Sequence, residues 1–145
     1  MFVGVCCEDL PEEHNRVTLD DTLKDSHGIP APKVTYTMSE NSRRMMDHAF
    51  KTGTEALEAA GASQVFTHGP IRMAGWHLLG TARMGHDPQT SVVNGWGRAH
   101  DVRNLFIVDG SVFVTSGGVN PTTTLQAIAL YIADQIKANL TNLFD

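Results

Sequence analysis

The amino end of the last helix is the feature that most constrains how this 145-residue chain can fold. Asn120 and Pro121 suit a helix start, because asparagine can cap the free N–H groups and proline lacks an N–H that would have no partner there. The sequence therefore predicts an amphipathic helix that begins near Asn120. Its candidate inward residues recur at intervals of three and four: Leu125, Ile128, Ala129, Ile132, Ala133, Ile136 and Leu140.

The residues just before this helix carry little or no side chain. Ser116, Gly117 and Gly118 would let a ligand approach the backbone closely. A helix amino end presents unpaired N–H groups and a positive dipole, so it favours an anion or an electron-rich ligand edge. A Gly-Gly sequence before a helix is nevertheless more often a simple turn. Other motifs have to decide between the two interpretations.

The composition narrows the class of protein. Hydrophobic residues make up 41% and charged residues 19% of the chain, which is typical of a soluble globular protein that buries one core. The net charge of -5 and the lack of clustered Lys and Arg argue against a nucleic-acid partner. The sequence has no apolar run that could cross a bilayer and no basic-then-apolar leader. Cys6 and Cys7 are adjacent, which would strain a bridge between them, so we expect two free, buried thiols.

The first sixty residues predict three strands and a helix. Residues 1–7 are typical of a buried strand, and the β-branched residues of 15–19 and 33–38 predict two strands that pair antiparallel across a polar connection. Residues 40–60 predict an amphipathic helix with Ser39 as its candidate cap, because apolar side chains recur at helical spacing and Gly61 ends the pattern. Its candidate inward residues are Met46, Phe50, Leu57 and Ala60.

Residues 67–104 form a long irregular stretch that is rich in glycine, histidine and tryptophan. Loops of this length are usually functional or disordered, and the apolar side chains within this one favour an ordered loop. Residues 104–108 are a short apolar run, typical of a buried parallel strand, and they lead into Asp109 and Gly110. Open α/β sheets bind ligands at the carboxyl ends of such strands, although an aspartate before glycine also commonly caps a turn.

Three motifs in the second half of the chain carry a family resemblance: "GWHLLGTARMG" around His77, "FIVDGS" around Asp109 and "GGVNPTTT" around Asn120. In this order they resemble the carboxyl-terminal signature of the glucose-methanol-choline (GMC) oxidoreductases, flavoenzymes that oxidise alcohols with bound FAD. The segments "NRVTLD", "GIPAPKVTY" and "TSVVN" extend the resemblance over nearly the whole chain. Within the family, the chain looks most similar to bacterial sugar, polyol and gluconate dehydrogenase-like flavoproteins.

The resemblance implies that two residues carry the chemistry. His77 matches the family's catalytic histidine and Asn120 its second active-site residue, so the imidazole would accept the hydroxyl proton while the amide holds the same oxygen. The structural alternative for His77 is a core histidine bonded to a backbone carbonyl. A metal site of His77, His86 and His100 is a further alternative, but their spacing matches no zinc pattern, and no metal is predicted.

The resemblance also implies a cofactor site at two joints of the chain. Asp109 and Gly110 would lie against the ribityl and diphosphate region of FAD. Asn120, Pro121 and Thr122 would face the pyrimidine edge of the flavin, where negative charge gathers on reduction and the positive helix end would stabilise it.

Part of such an enzyme lies outside this sequence. GMC enzymes hold the adenosine of FAD in an amino-terminal βαβ unit with a G-x-G-x-x-G motif, which this sequence lacks. We therefore expect an α+β piece. Residues 1–104 would form part of a mixed or antiparallel substrate-domain sheet covered by the helix of 40–60. Residues 105–145 would add a strand and a long helix to the Rossmann-like FAD-binding layer. The chain alone would then bind FAD weakly or not at all.

Two function classes follow from these observations. The first is FAD-dependent oxidation of a CH–OH group in a small-molecule alcohol, such as a sugar, polyol or sugar acid. Its partners would be the amino-terminal FAD-binding part and an electron acceptor, which the motifs leave open between oxygen, a quinone and a cytochrome. The second class is a non-catalytic fragment that serves as a binding or assembly module. The intact His77 and Asn120 count against this second class.

Overall fold

The computed structural model describes residues 1–71, 76–117 and 119–143. Gly118, one of the small residues expected before the last helix, therefore lies outside the described residues. The chain divides into a first unit, Met1–Trp76, and a second unit, His77–Asp145. No helix within the described ranges has an apolar stretch long enough to span a bilayer.

An antiparallel hairpin forms part of the first unit. Strand β1 (Arg16–Lys24) pairs with strand β2 (Pro30–Thr35), and Val17 lies opposite Val34. The side chain of Asp25 accepts two backbone hydrogen bonds in the connecting turn. The two strands and their antiparallel pairing are confirmed, and they follow from β-branched residues that flank a turn.

Both faces of this hairpin are exposed to solvent. Val17, Leu19 and Val34 lie on one face, and 50%, 66% and 72% of their respective surfaces are exposed. The helix that follows therefore does not cover the sheet, contrary to the sequence expectation. An isolated two-stranded hairpin is only marginally stable without further strands or a helix packed against it, and this face has neither among the described residues.

Helix α1 (Glu40–Ala59) is capped at both ends. The Ser39 side chain accepts a hydrogen bond from the N–H of Ser42, and the chain leaves the helix through Gly61 at φ +91°. The N–H groups of Gly61 and the next residue donate to carbonyls of the last turn, which completes a Schellman motif. The helix is confirmed with its predicted caps. Among its candidate inward residues Met46, Phe50 and Leu57 are half-buried and Ala60 is exposed.

The first seven residues form no strand. Residues 1–7 have no regular structure, and Cys6 and Cys7 are free but exposed. The strand and the buried thiols predicted here are wrong. No described strand pairs with this segment, and a strand without a pairing partner leaves its backbone groups to water.

Polar side chains hold the following residues in place. The Asp9 carboxylate accepts hydrogen bonds from the hydroxyls of Ser42 and Tyr36, each at 2.5 Å. Partial burial and the bond to Asp9 raise the pKa of Tyr36 to about 12. Asn15 and Thr37 exchange two hydrogen bonds between the Asn15 side chain and the Thr37 backbone. The first unit is thus tied together by polar contacts.

A small apolar core holds the second unit together. Val93 and Val112 are fully buried and Ala99 nearly so. Ile132 on helix α2 (Thr122–Ala138) is also fully buried. Four partly buried side chains pack against the first three residues: Met84, Ile107, Phe113 and Ile128.

Isolated backbone bridges order the irregular part of this unit. Met84 bridges Val93, and Val93 in turn bridges Ala99. The ordered loop expected over much of 67–104 is present, although it contains no regular strand among its described residues. The predicted strand at 104–108 reduces to one antiparallel bridge at Phe106. A regular parallel strand is wrong here, because the described part of the chain supplies no parallel neighbour for it.

Helix α2 begins slightly later than predicted. Pro121 is the residue before the helix, its backbone is already near helical values, and no side chain caps this end. The Pro121 carbonyl accepts the first helical bond, from the N–H of Leu125 at 2.9 Å. Asn120 therefore lies outside the cap position, and its predicted capping role is wrong. The amphipathic pattern holds in its middle, where Ile132 is buried, but Ala133 and Leu140 are exposed.

Candidate active site

The first two of the three motifs are bonded side by side. Ala82 donates its N–H to the carbonyl of Ser111, and Met84 donates to the carbonyl of Val112, both at 2.9 Å. These bonds fix the "HLLGTARM" segment along the "DGSV" segment. Since Val112 is fully buried in the core, both segments are anchored there.

Two positive φ angles mark the turn that carries His77. The φ of His77 is +59°, a left-handed conformation that is uncommon for a residue with a side chain, although histidine tolerates it better than most. Gly80 has a φ of +86°, and a β-carbon there would contact the Phe113 carbonyl oxygen at 3.4 Å. His77 is exposed, whereas the structural alternative requires a buried histidine. Backbone conformations of this kind cluster at functional sites.

Gly110 lies where the first two motif segments meet Leu125, the residue that directly follows the third motif. It is buried, and a β-carbon built there would lie 2.7 Å from Cδ2 of Leu79 and 3.2 Å from Cδ1 of Leu125. The carbonyl oxygen of Leu78, the residue after His77, would be 3.6 Å away. The turn after His77 and the first turns of α2 therefore both contact this glycine.

Asp109 caps the short 3₁₀ helix Gly110–Val112. Its Oδ1 accepts a hydrogen bond from the N–H of Ser111 at 2.8 Å. Hydrogen bonds from the Ser111 side chain and backbone lower the pKa of Asp109 below its usual range, and burial acts weakly in the opposite direction. Asp109 is thus an ionised turn cap, as the structural interpretation predicted. Its contact with a cofactor stays a prediction.

The loop before α2 and the first turn of the helix form an open depression of about 400 Å³. Because no side chain caps the amino end of α2, its backbone N–H groups are available to a ligand. The depression combines apolar side chains with hydroxyl and amide groups. Its lining residues are Phe113, Thr115, Ser116, Gly117, Val119, Asn120, Pro121 and Thr124.

Two of the six predicted site residues, Asn120 and Pro121, line this depression, whereas the other four do not. Sequence reasoning missed Thr124, which belongs to the threonine run of the third motif and could have been included with it. It also missed Phe113, Thr115 and Val119, whose placement depends on the loop conformation. The four predicted residues outside the lining are His77, Asp109, Gly110 and Thr122.

The histidines of the metal alternative do not form a cluster. Within the ranges that the structure describes, no three His, Cys, Asp or Glu side chains come together in a way that could hold a metal ion. Nε2 of His100 lies 3.0 Å from Oγ of Ser91, whose hydroxyl donates to the Asp87 carbonyl at 2.6 Å. Because that bond uses the hydroxyl proton, Nε2 of His100 is the donor to Ser91. His100 thus closes a turn.

The family of the chain follows from its sequence profile. The profile described as GMC oxidoreductase matches residues 11–129, which is most of the chain and includes all six predicted site residues. The chain belongs to the GMC oxidoreductase family. The resemblance seen in the three motifs is therefore confirmed.

Relatives of this GMC chain include dehydrogenases of a diol and of a sugar. It is 43% identical over 146 residues to 2-methyl-1,2-propanediol dehydrogenase of Mycolicibacterium austroafricanum, a match that covers 100% of the chain and 26% of the relative. It is 38% identical over 133 residues to the fructose dehydrogenase large subunit of Gluconobacter japonicus, covering 92% of the chain and 24% of the relative. The GMC chain thus spans about a quarter of the length of these relatives.

A solved structure shares the fold of the GMC chain. Pyridoxine 4-oxidase from Mesorbium loti superposes with a TM-score of 0.61 and 23% sequence identity, over 79% of this chain and 26% of the oxidase. The mixed architecture of two helices and an antiparallel sheet, predicted as α+β, is confirmed at this level. The assignment of 105–145 to a cofactor-binding layer stays a prediction.

Proposed function

We propose that this GMC chain is the carboxyl-terminal part of a FAD-dependent alcohol dehydrogenase or oxidase. The enzyme oxidises a CH–OH group of a small alcohol, sugar, polyol or sugar acid. The contacts of buried Gly110 carry the proposal, because they link the turn of His77 to Leu125 in the helix that follows Asn120. Membership of an oxidoreductase family supports it.

The groups around the amino end of α2 suit the electron-rich edge of a flavin ring. The helix end has no side-chain cap, Thr122 is exposed, and Asn120 and Pro121 line the adjoining depression. These residues would hold the pyrimidine edge. Asp109, as a carboxylate, accepts hydrogen bonds, so that it and Gly110 would hold the ribityl region. FAD, when bound there, supplies the acceptor for the hydride.

His77 and Asn120 have different roles at the substrate oxygen. An alcohol becomes a carbonyl only if its hydroxyl proton leaves as its carbon loses hydride, so a proton acceptor must be close to that oxygen. A ring nitrogen of His77 takes this proton. Nδ2 of Asn120 donates a hydrogen bond to the same oxygen and does not titrate. The exposure of both residues in the second unit leaves them accessible to a substrate.

The rest of the enzyme would complete the site. The relatives are about four times as long as the chain, and a preceding FAD-binding part, covalently joined or separate, would hold the adenosine. In that enzyme, residues 1–104 would contribute to the substrate-binding region and residues 105–145 to the FAD-binding domain. Oxygen, a quinone or a cytochrome would then take up the electrons.

The experiment that tests the proposal replaces His77 in the complete enzyme. His77→Ala should lower the rate of flavin reduction by about 100- to 10,000-fold, the usual contribution of a positioned acid-base group. Flavin content should stay normal, because His77 does not line the depression at α2. The rate is measured by stopped-flow absorbance without an electron acceptor, which separates hydride transfer from reoxidation.

Two further variants complete this test. Asn120→Ala should give a smaller loss than His77→Ala, because a neutral donor contributes less than a proton acceptor. His48→Ala is the control, since this histidine is exposed on α1 in the first unit and should not affect the rate. A His77→Ala enzyme with full flavin and a normal rate of flavin reduction would show that His77 is structural, and the proposed mechanism would be wrong.

A further inference from the structure

Gly110 is enclosed by a leucine of the first motif and by the leucine that directly follows the third motif. A β-carbon at this position would lie 2.7 Å from Cδ2 of Leu79, which is closer than real β-carbon contacts, and 3.2 Å from Cδ1 of Leu125, which is tight. Leu79 follows His77 by two residues, and Leu125 lies in the first turns of α2. The two leucines therefore occupy the space that a side chain at residue 110 would need.

We propose that Gly110 and Leu79 are a size-matched pair that positions the His77 turn against the amino-terminal turns of α2. Gly110 is thus a positioning residue, in addition to any contact with a cofactor. The pairing rests on the contacts themselves, whereas its effect on the reaction rests on the proposed function of His77 and Asn120. The two parts can be tested separately.

The surroundings determine which partner moves when the pair is mismatched. The 3₁₀ helix of Gly110 is held by the fully buried Val112 and by the backbone bonds that Ser111 and Val112 accept. Leu79 lies in a turn and is only half-buried. A methyl group at residue 110 would therefore act first on the flexible end of the Leu79 side chain, and a displacement of Leu79 would reach His77 through two peptide units.

Such a displacement matters because His77 and Asn120 have to reach the same substrate oxygen. A misplacement of about 1 Å at a reacting group can cost about 100-fold in rate. The helix that follows Asn120 is fixed by the buried Ile132, so it does not follow the moving turn. The size of the pair consequently sets the relative position of the proton acceptor and the hydrogen-bond donor.

The test uses the complete, flavin-loaded enzyme with Gly110→Ala, Leu79→Ala and the double variant. Gly110→Ala should slow flavin reduction by roughly 10- to 100-fold at unchanged flavin content. The double variant removes the overlapping Cδ2, so its rate should return to that of Leu79→Ala. Gly95→Ala is the matched control, because a β-carbon at this glycine meets no atom within 4 Å.

The thermal unfolding midpoints of the wild-type enzyme, the two single variants and the double variant test the pairing without reference to activity. The double variant should be more stable than the sum of the two single effects predicts, because Leu79→Ala makes room for the new methyl group. Additive shifts of the midpoint would overturn the pair. Loss of flavin in Gly110→Ala that Leu79→Ala does not restore would overturn the positioning role, and so would a normal rate in Gly110→Ala. Failure of the proposed function itself would show in His77→Ala, whatever the outcome of this cycle.

Discussion

In the first unit a hairpin and a helix of 20 residues are regular, yet none of its described apolar side chains is fully buried. The second unit has no regular strand among its described residues, but it contains every buried hydrophobic residue of the described chain. In this GMC chain, regular secondary structure therefore does not by itself bring a buried apolar core. The buried residues are Val93, Ala99, Val112, Ile132 and Leu143.

The two units also differ in how strongly a substitution at one residue should change their stability. The first unit relies on hydrogen bonds such as those that Asp9 accepts, and a hydrogen bond to a charged group contributes about 1.5–3 kcal/mol net. The second unit relies on close packing, where an added or lost methyl group has no easy compensation. The candidate site is built on the closely packed unit, which suits a reaction that needs fixed distances.

Gly97→Ala should have the largest effect on stability. Gly97 has a φ of +78°, and a β-carbon there would lie 2.7 Å from the Ile107 carbonyl oxygen and 2.9 Å from Cδ1 of Ile132. The left-handed backbone and the overlap together should lower the free energy of unfolding of the 145-residue chain by about 2–5 kcal/mol. Urea unfolding followed by Trp fluorescence measures this, with Gly95→Ala as control. Equal stability of the two variants would contradict the packing described for the second unit.

A matched pair of valines gives the next largest effect. Val93→Ala removes methyl groups from the core and should cost about 2 kcal/mol of unfolding free energy, from lost burial and the cavity left behind. Val34→Ala makes the same chemical change on the exposed face of β2 and should stay within about 0.5 kcal/mol. Chemical denaturation of both variants compares the units directly. A cost at Val34 as large as that at Val93 would show that the first unit has a core after all.

The smallest expected effect on stability concerns the hydrogen bond from Tyr36 to Asp9. Its pKa is raised to about 12, so the stability that the neutral phenol contributes is complete below its ordinary value of about 10 and is lost as the pH rises towards 12. Asp9→Asn removes the neighbouring carboxylate and should lower the pKa of Tyr36. Absorbance at high pH, in a Tyr131→Phe background that leaves one tyrosine, measures the titration. Asp21→Asn, an exposed change on β1, is the control, and an equal shift in both variants would exclude a specific tie.

The sequence predicted the local features of this fold better than its contacts. The hairpin and α1 follow from β-branched runs, helical spacing and Ser39 as a cap, all of which act between near neighbours. The strand at 1–7 and the regular strand at 104–108 were wrong, because an apolar run does not reveal whether a pairing partner exists. Periodicity cannot supply that information.

In the candidate site, too, the sequence predicted residue types better than contacts. The motifs predicted chemical roles for His77, Asp109 and Asn120, which stay predictions, and the family to which they point is confirmed. The contact of Gly110 with Leu79 could not be foreseen, since it depends on a left-handed turn at His77 and on a backbone ladder without regular strands. Residue types suggested the chemistry, whereas the distances between them come from the folded loops.

The exposed apolar face of the hairpin has a consequence for the synthesis of the protein. Translation proceeds from the amino end, so Val17, Leu19 and Val34 leave the ribosome before any of the buried residues of the second unit has been made. A nascent chain at this stage presents two free strand edges and an uncovered apolar surface, the features that promote aggregation and attract chaperones. The yield of folded protein should therefore depend on whether chaperones bind this face before it aggregates during translation.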